Sequence, residues 1–251
     1  MQHNYHTHTA RCNHASDTER EYVECAIQNG MKTLGFSDHA PYLFPETDYY
    51  STFRMRVEEL EEYADSIRAL AREYEKDIRI LCGFELEYYP DYHKEEIAFL
   101  NRVNPDYLIL GQHFIGNEIT QHGGGSMKGD YALVAYVSQV LAGLATGDFL
   151  YLAHPDLAGM HFSPQVVEQE YRRLCEGAKR MGVPLELNFL GLRTQRHYPS
   201  IPFFKIAAEV GNDIVFGADA HQAKDVFDPQ SEETAREWVD KFGLHLIEKL
   251  I

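Results

Sequence analysis

Asn4-Tyr5-His6-Thr7-His8 opens the chain with two imidazoles two residues apart, at the end of what reads as the first strand. In an extended backbone residues i and i+2 face the same way, so His6 and His8 can reach one metal ion together. A single pair of this kind is as often just a pair of satisfied polar residues. Repetition gives it weight. Outward along the 251 residues, one strand-like run after another ends in a His, Asp or Glu.

Residues 31–37 read as strand two and end in Asp38-His39, and residues 78–86, strand three, carry Glu85. Residues 106–111 lead into Gln112-His113, and residues 149–153 end at His154. Residues 184–189 form strand six, and residues 213–216 run into Gly217-Ala218-Asp219-Ala220-His221. Helical stretches lie between them. The first opens at Asp17-Thr18-Glu19-Arg20 and stops at Gly30; the second, residues 54–75, repeats apolar residues every three or four at Val57, Leu60, Ala64, Ile67 and Ala71. Further helices are predicted over 92–103, 131–145, from Ser163-Pro164 to Met181-Gly182, over 201–210, and over 231–242 before Gly243.

Seven strands alternating with helices predict a parallel sheet or a (β/α) barrel, read as one domain over residues 1–251. Barrels of that kind carry function at the carboxyl ends of their strands. Those ends supply His6, His8, His39, Glu85, His113, His154, Asp219 and His221, with His14 on the first loop. Imidazoles with a few carboxylates suit zinc, manganese or iron and do not suit a calcium cage. Nine candidates exceed one ion's needs and suffice for two or three, with Glu85 able to bridge. Such a cluster lowers the pKa of a bound water and clamps ester oxygens, chemistry that serves phosphate-ester hydrolysis.

Composition narrows the partners. The formal charge of −16 argues against a nucleic acid polymer and calls for bound cations before a phosphorylated substrate can approach. Hydrophobic residues at 44% allow a sizeable core. Cys12, Cys25, Cys82 and Cys175 form no C-x-x-C, which fits a reducing cytoplasm. Neither a signal peptide nor an apolar run long enough for a membrane is expected, and a homo-oligomer is possible. The aromatic loop over residues 42–50 reads as a lid. Gly123-Gly124-Gly125 reads as a flexible loop without the lysine of a phosphate-cradling motif. His3, His93, His122 and His245 are expected in loops or facing solvent.

The blocks His6-Thr-His8, Cys12-Asn-His14, Ser37-Asp-His39, Gly83-Phe-Glu85, Gln112-His-Phe114, Ala153-His154 and Ala218-Asp219-Ala-His221 resemble, in order, the motifs of the PHP family, named for polymerase and histidinol phosphatase. Glu186-Leu-Asn188, Gly191-Leu-Arg193 and Tyr198-Pro199 resemble its histidinol-phosphatase branch. The resemblance implies a distorted (β/α)7 TIM-like barrel with a trinuclear metal centre. It assigns one ion to His6, His8, Glu85 and Asp219, a second to Glu85, His113 and His154, and a third to His14, His39 and His221. It also implies hydrolysis of L-histidinol phosphate by a metal-bridging hydroxide, with another small phosphate ester or a silent metal-binding role as the alternatives.

Asp17 is a candidate to exchange a proton with the leaving group, set against a plain helix N-cap. Arg193 can give bidentate phosphate contacts, and Arg196 or His197 could fill the same role. The branch would carry a basic residue soon after His154, and here none occurs before His161, which makes His161 the substitute. Glu87, two residues beyond Glu85, is a candidate to orient a ligand or meet a substrate amine.

Overall fold

The computed structural model describes residues 1–45, 47–119, 122–123, 127–159 and 161–251. Its contacts divide the chain into two compact units, one of Met1–Leu86, Asp91–Ile109 and Gly217–Pro229, the other of Glu87–Pro90, Leu110–Phe216 and Gln230–Ile251.

In the first unit the strands β1 (His3–Asn4), β2 (Thr33–His39), β3 (Arg79–Leu86) and β4 (Tyr107–Leu110) lie side by side in chain order. β1 to β3 are parallel, with His39 opposite Glu85. The formal first strand stops at Asn4, short of the predicted length, because the Asn4 side chain takes over the ladder's role. Its amide donates to Thr7 Oγ1 at 2.8 Å, and its carbonyl oxygen accepts from the backbone of His6 at 3.2 Å and Ala218 at 2.9 Å. Beyond it, His8 N donates to Ala220 O at 2.9 Å, and Thr7 and Ala220 pair in parallel.

Tyr107 explains two glycines. A Cβ at Gly35 would lie 2.3 Å from its hydroxyl, and one at Gly83 2.6 Å from its ring. Its hydroxyl lies 2.8 Å from Tyr5 O and 3.1 Å from Phe36 O, so the ring fills the space beneath the strand ends while its one proton is shared between two carbonyls. The opposite face of β3 is covered by α2 (Leu60–Glu73), whose buried residues Leu60, Tyr63, Ala64, Ile67 and Leu70 keep the predicted spacing. α1 (Glu19–Gln28) starts two residues later than predicted: Thr18 is its cap, in a capping box with Glu21. α3 (His93–Leu100) buries His93 instead of exposing it. In the aromatic loop, Tyr42 stacks on Phe44 with centroids 5.2 Å apart, and Leu43 N donates to the buried Glu96 at 2.9 Å.

The second unit carries the antiparallel pair β5 (Phe114–Ile115) and β6 (His122–Gly123), which the sequence did not announce. Gly124 and Gly125 of the predicted glycine loop, and the side chain of His122, lie outside the described residues. The helices α4 (Asp130–Leu144) and α5 (Pro164–Met181) follow, α5 with Pro in its first turn and Gly182 at φ 68° past its end, as predicted. Strand five shrinks to Leu152, bridged in parallel to Leu110 and Leu185. β7 (Leu185–Asn188) ends where Asn188 caps an unpredicted short helix, α6 (Phe189–Arg193). After α7 (Ile201–Val210), β8 (Asp213–Gly217) lies between β7 and the unpredicted β9 (His245–Leu246), which follows α8 (Pro229–Phe242). His245 Nδ1 meets Asp213 at 2.6 Å there. Among the described residues no helix is long and apolar enough to cross a membrane.

Candidate metal centre

The first unit gathers seven of the nine predicted ligands. His6, His8, Glu85 and Asp219 are almost wholly buried. His6 Nε2 lies 3.6 Å from both Glu85 Oε2 and Asp219 Oδ1. His8 Nε2 lies 3.6 Å and 3.2 Å from the same two atoms. Metal bonds of about 2.0–2.2 Å in a tetrahedron set donor atoms roughly 3.3–3.6 Å apart, so these four atoms already stand at coordination spacing. The chemistry agrees, since two imidazole nitrogens and two carboxylate oxygens form a set that divalent ions accept.

His39 Nδ1 approaches Glu85 Oε2 at 2.9 Å. The His8 ring centroid is 4.4 Å from that of His39 and 4.1 Å from that of His221, and His14 is 4.8 Å from His221 and 5.3 Å from His39. His8, His39 and His221 form one potential ligand group, and Cys12, His14 and His221 another.

Neighbouring groups fix the rings. Asp38 Oδ1 meets His8 Nδ1 at 3.3 Å, and the Thr9 hydroxyl donates to its other oxygen. With Nδ1 donating to Asp38, the His8 lone pair sits on Nε2, facing the cluster. The Cys12 carbonyl does the same for His14, 2.7 Å from its Nδ1.

Electrostatics follow from burial and proximity. Burial alone would raise Asp219, but His6, His8 and His221 around it hold its carboxyl well below the usual range. Burial would lower His8, and its hydrogen bonds to Asp219 and Asp38 overcome this and raise it well above an ordinary histidine. His221 is pushed down to about 3, by burial first and then by the charge of His8. In the metal-free chain the upward shift of His8 favours its protonated ring, and a cation bound among these carboxylates displaces the proton and takes the Nε2 lone pair.

In the second unit His113 and His154 meet with centroids 4.8 Å apart. Their carboxylates stand behind them. Glu87 Oε1 lies 3.2 Å from His113 Nδ1, and Tyr89 donates to Glu87 Oε2 at 2.6 Å. Glu186 accepts the backbone N–H of His154 at 2.9 Å and the Asn188 amide at 2.8 Å. His154 at φ 28° and Asp219 at φ 46° both adopt left-handed backbone that ordinary residues avoid, and both end strand-like runs. The bond to Glu186 helps hold His154 there.

The remaining candidates scatter more widely. Asp17 is exposed and is not the helix cap; it sits at φ 69° and accepts from Ala223 N at 2.8 Å, two residues past His221. Arg193 ends α6. Arg196 is exposed and donates to Tyr198 OH at 2.8 Å, and the Tyr198 ring lies 5.8 Å from His154. His197 Nε2 meets the Leu157 carbonyl at 2.9 Å, and His161 is exposed. Asp38, Glu186 and Cys12 were not singled out as site residues from the sequence. Their signals were an acid beside His39, an acid inside an apolar strand, and a cysteine two residues before His14.

Fold and donors define an α/β protein with buried His, Asp and Glu groups suited to divalent metals. A model of the PHP domain matches residues 4–189. The Deinococcus radiodurans probable histidinol-phosphatase is 30% identical over 236 residues, covering 88% of this chain and 86% of that protein. The Bacillus subtilis histidinol-phosphatase is 28% identical over 251 residues, covering 88% and 94%. The Lactococcus lactis histidinol phosphate phosphatase, solved with Zn, L-histidinol and phosphate, shares the fold with a TM-score of 0.72 at 21% identity, over 98% of this chain and 95% of that one. The chain belongs to the PHP family and is a histidinol-phosphatase-like phosphoesterase, with the α/β, TIM-like fold class that its strand pattern and motifs led one to expect.

Proposed function

We propose that residues 1–251 act as a single metal-dependent phosphomonoesterase domain that hydrolyses L-histidinol phosphate to L-histidinol and phosphate. The observation that carries this reading is the set His6, His8, Glu85 and Asp219, with donor atoms 3.2–3.6 Å apart across the imidazole–carboxylate pairs. It is supported by similar proteins named histidinol-phosphatase, beside others named only as probable phosphatases, and by one solved with Zn, L-histidinol and phosphate. The ligands so proposed are His6, His8, His14, His39, Glu85, Asp219 and His221 in the first unit and His113 and His154 in the second, and they would hold two or three ions of zinc, manganese or iron. Bound there, such ions supply Lewis acidity, acidifying water and offsetting phosphoryl charge that a chain of net charge −16 would otherwise repel.

The chain's own groups do the rest. Asp38 and Glu87 keep His8 and His113 in the tautomer that presents Nε2. Arg193 gives the phosphate a planar pair of donors, with Arg196, His197 and His161 as further substrate contacts. Asp17 exchanges a proton with the leaving alkoxide. One feature favours a second reading, a phosphatase for nucleotides or another small ester: no basic residue occurs between His154 and His161.

The test is phosphate release from L-histidinol phosphate, beside a nucleotide and a sugar phosphate, with a chelated control. Turnover of histidinol phosphate alone, lost on chelation, is expected. Activity spread evenly over the esters would overturn the substrate, and activity indifferent to chelation would overturn the mechanism. His161→Ala should raise KM for histidinol phosphate; an unchanged KM removes His161 from the substrate contacts.

A further inference from the structure

Cys12 is fully buried, yet its neighbours are not those of a cysteine packed as a small hydrophobe. It ends a one-turn 3-10 helix, Ala10–Cys12, and Asn13 at φ 66° then turns the backbone so that His14 returns beside it. The sulfur, one nitrogen of His14 and one of His221 lie within 4.8 Å of one another. His8 and Asp38 flank the same sulfur, again within 4.8 Å. The His14 ring is pinned by Nδ1 to the Cys12 carbonyl at 2.7 Å, which puts its lone pair on Nε2.

We propose that Cys12 supplies a thiolate to the ion held by His14 and His221, a sulfur-bearing, zinc-selective position beside the nitrogen–oxygen position of His6, His8, Glu85 and Asp219. This rests on the metal-dependent reading above. A tetrahedral ion with bonds of about 2.3 Å to sulfur and about 2.1 Å to nitrogen sets those atoms roughly 3.6 Å apart, so the group closes with a contraction of about 1 Å. His39, the other ring assigned to this ion by resemblance, meets Glu85 through its Nδ1 at 2.9 Å, and three imidazoles still leave a tetrahedral ion one donor short, the position the sulfur takes. Coordination exchanges the S–H bond for a zinc–sulfur bond and releases the proton to solvent. A soft thiolate discriminates against manganese, whereas two imidazoles with two carboxylates accept manganese, iron or zinc. The two positions therefore differ in which metal they retain.

The experiment uses the full chain loaded with Co2+ and read by absorption. Wild type should show a near-ultraviolet thiolate-to-cobalt charge-transfer band; Cys12→Ser should lose it while still binding cobalt, and Cys25→Ser, at a half-exposed cysteine, should keep it. Zinc-edge X-ray absorption of wild type should show a sulfur scatterer at about 2.3 Å, a readout that needs no variant. Cobalt bound without the band, a band that survives Cys12→Ser, or a zinc shell with no sulfur would each overturn the proposal and leave the phosphatase reading standing. A chain that binds no cobalt would overturn both.

Discussion

The two units employ the same side chains in opposite arrangements. In the first, Glu85 and Asp219 stand among the imidazoles, 3.2–3.6 Å from the Nε2 atoms of His6 and His8. In the second, Glu87 stands behind the His113 ring and Glu186 behind the His154 backbone. Glu85 and Glu87 are only two residues apart, so position, and not chemistry, decides which carboxylate stands among the imidazoles and which stands behind one. A donor that touches the ion should be indispensable, and one that orients a ring should be adjustable.

The sharpest way to break this distinction is to compare removals. Asp219→Ala should lower phosphate release by at least about a thousandfold, roughly 4 kcal/mol of transition-state stabilisation, and should lower the metal content measured by elemental analysis. Glu87→Ala should cost less, about 10–100-fold in ion affinity or activity, and Glu87→Gln should recover part of it because an amide oxygen still accepts from His113 Nδ1. Equal losses for Asp219→Ala and Glu87→Ala, with no recovery by Gln, would erase the difference between the units.

Titration sharpens the comparison next. His8 is raised in the folded, metal-free chain, so its contribution to stability is complete below its ordinary value of 6.5 and is lost as pH rises through the raised one. Asp219 is depressed, so its contribution is present above 3.8 and is lost as pH falls through the lowered value. The metal-free protein should therefore be most stable in weak acid and weaken toward alkaline pH. Added zinc replaces the proton, so the rise in Tm on zinc addition should grow from about pH 5 to about pH 8. A zinc-induced rise that is flat or falls across that range would remove the shared proton from the account.

Legibility in the sequence follows the same division. The side chains gathered in the first unit could be read because His6-Thr7-His8 and Asp219-Ala220-His221 put metal-type residues at alternate positions, where a strand end presents them together. The strand-and-helix alternation could be read from apolar spacing, as α2 and α5 bear out. What could not be read depends on contacts distant in sequence. β1 ends early because Asn4 reaches Ala218, strand five survives as one bridged residue, and β9 forms only by pairing with β8. Glu186 stands in the sequence only as part of a family-like block, and its place against His154 N comes from folding. His93 reads as a surface residue because nothing local says which side of its helix is covered.

The smallest expected effect tests whether the first unit's scaffold is separable from its donors. Tyr107 fills the space left by Gly35 and Gly83, and its hydroxyl is shared between the carbonyls of Tyr5 and Phe36. Tyr107→Phe keeps the ring in that space and removes only the hydroxyl's hydrogen bonds to the two carbonyls. The cost should be about 1–2 kcal/mol, a fall in Tm of a few degrees for a chain of this size. Metal content and phosphate release should stay near wild type, because the ring still sets the separation of β2 and β3 and hence of His39 and Glu85. Gly83→Ala is the reciprocal change. It leaves the hydroxyl but drives a methyl to 2.6 Å from the ring, so Tyr107 must move and the strand ends with it. Loss of metal in Gly83→Ala but not in Tyr107→Phe would assign the donor spacing to the volume of that ring, while loss in both would tie it to the Tyr107 hydrogen bonds as well.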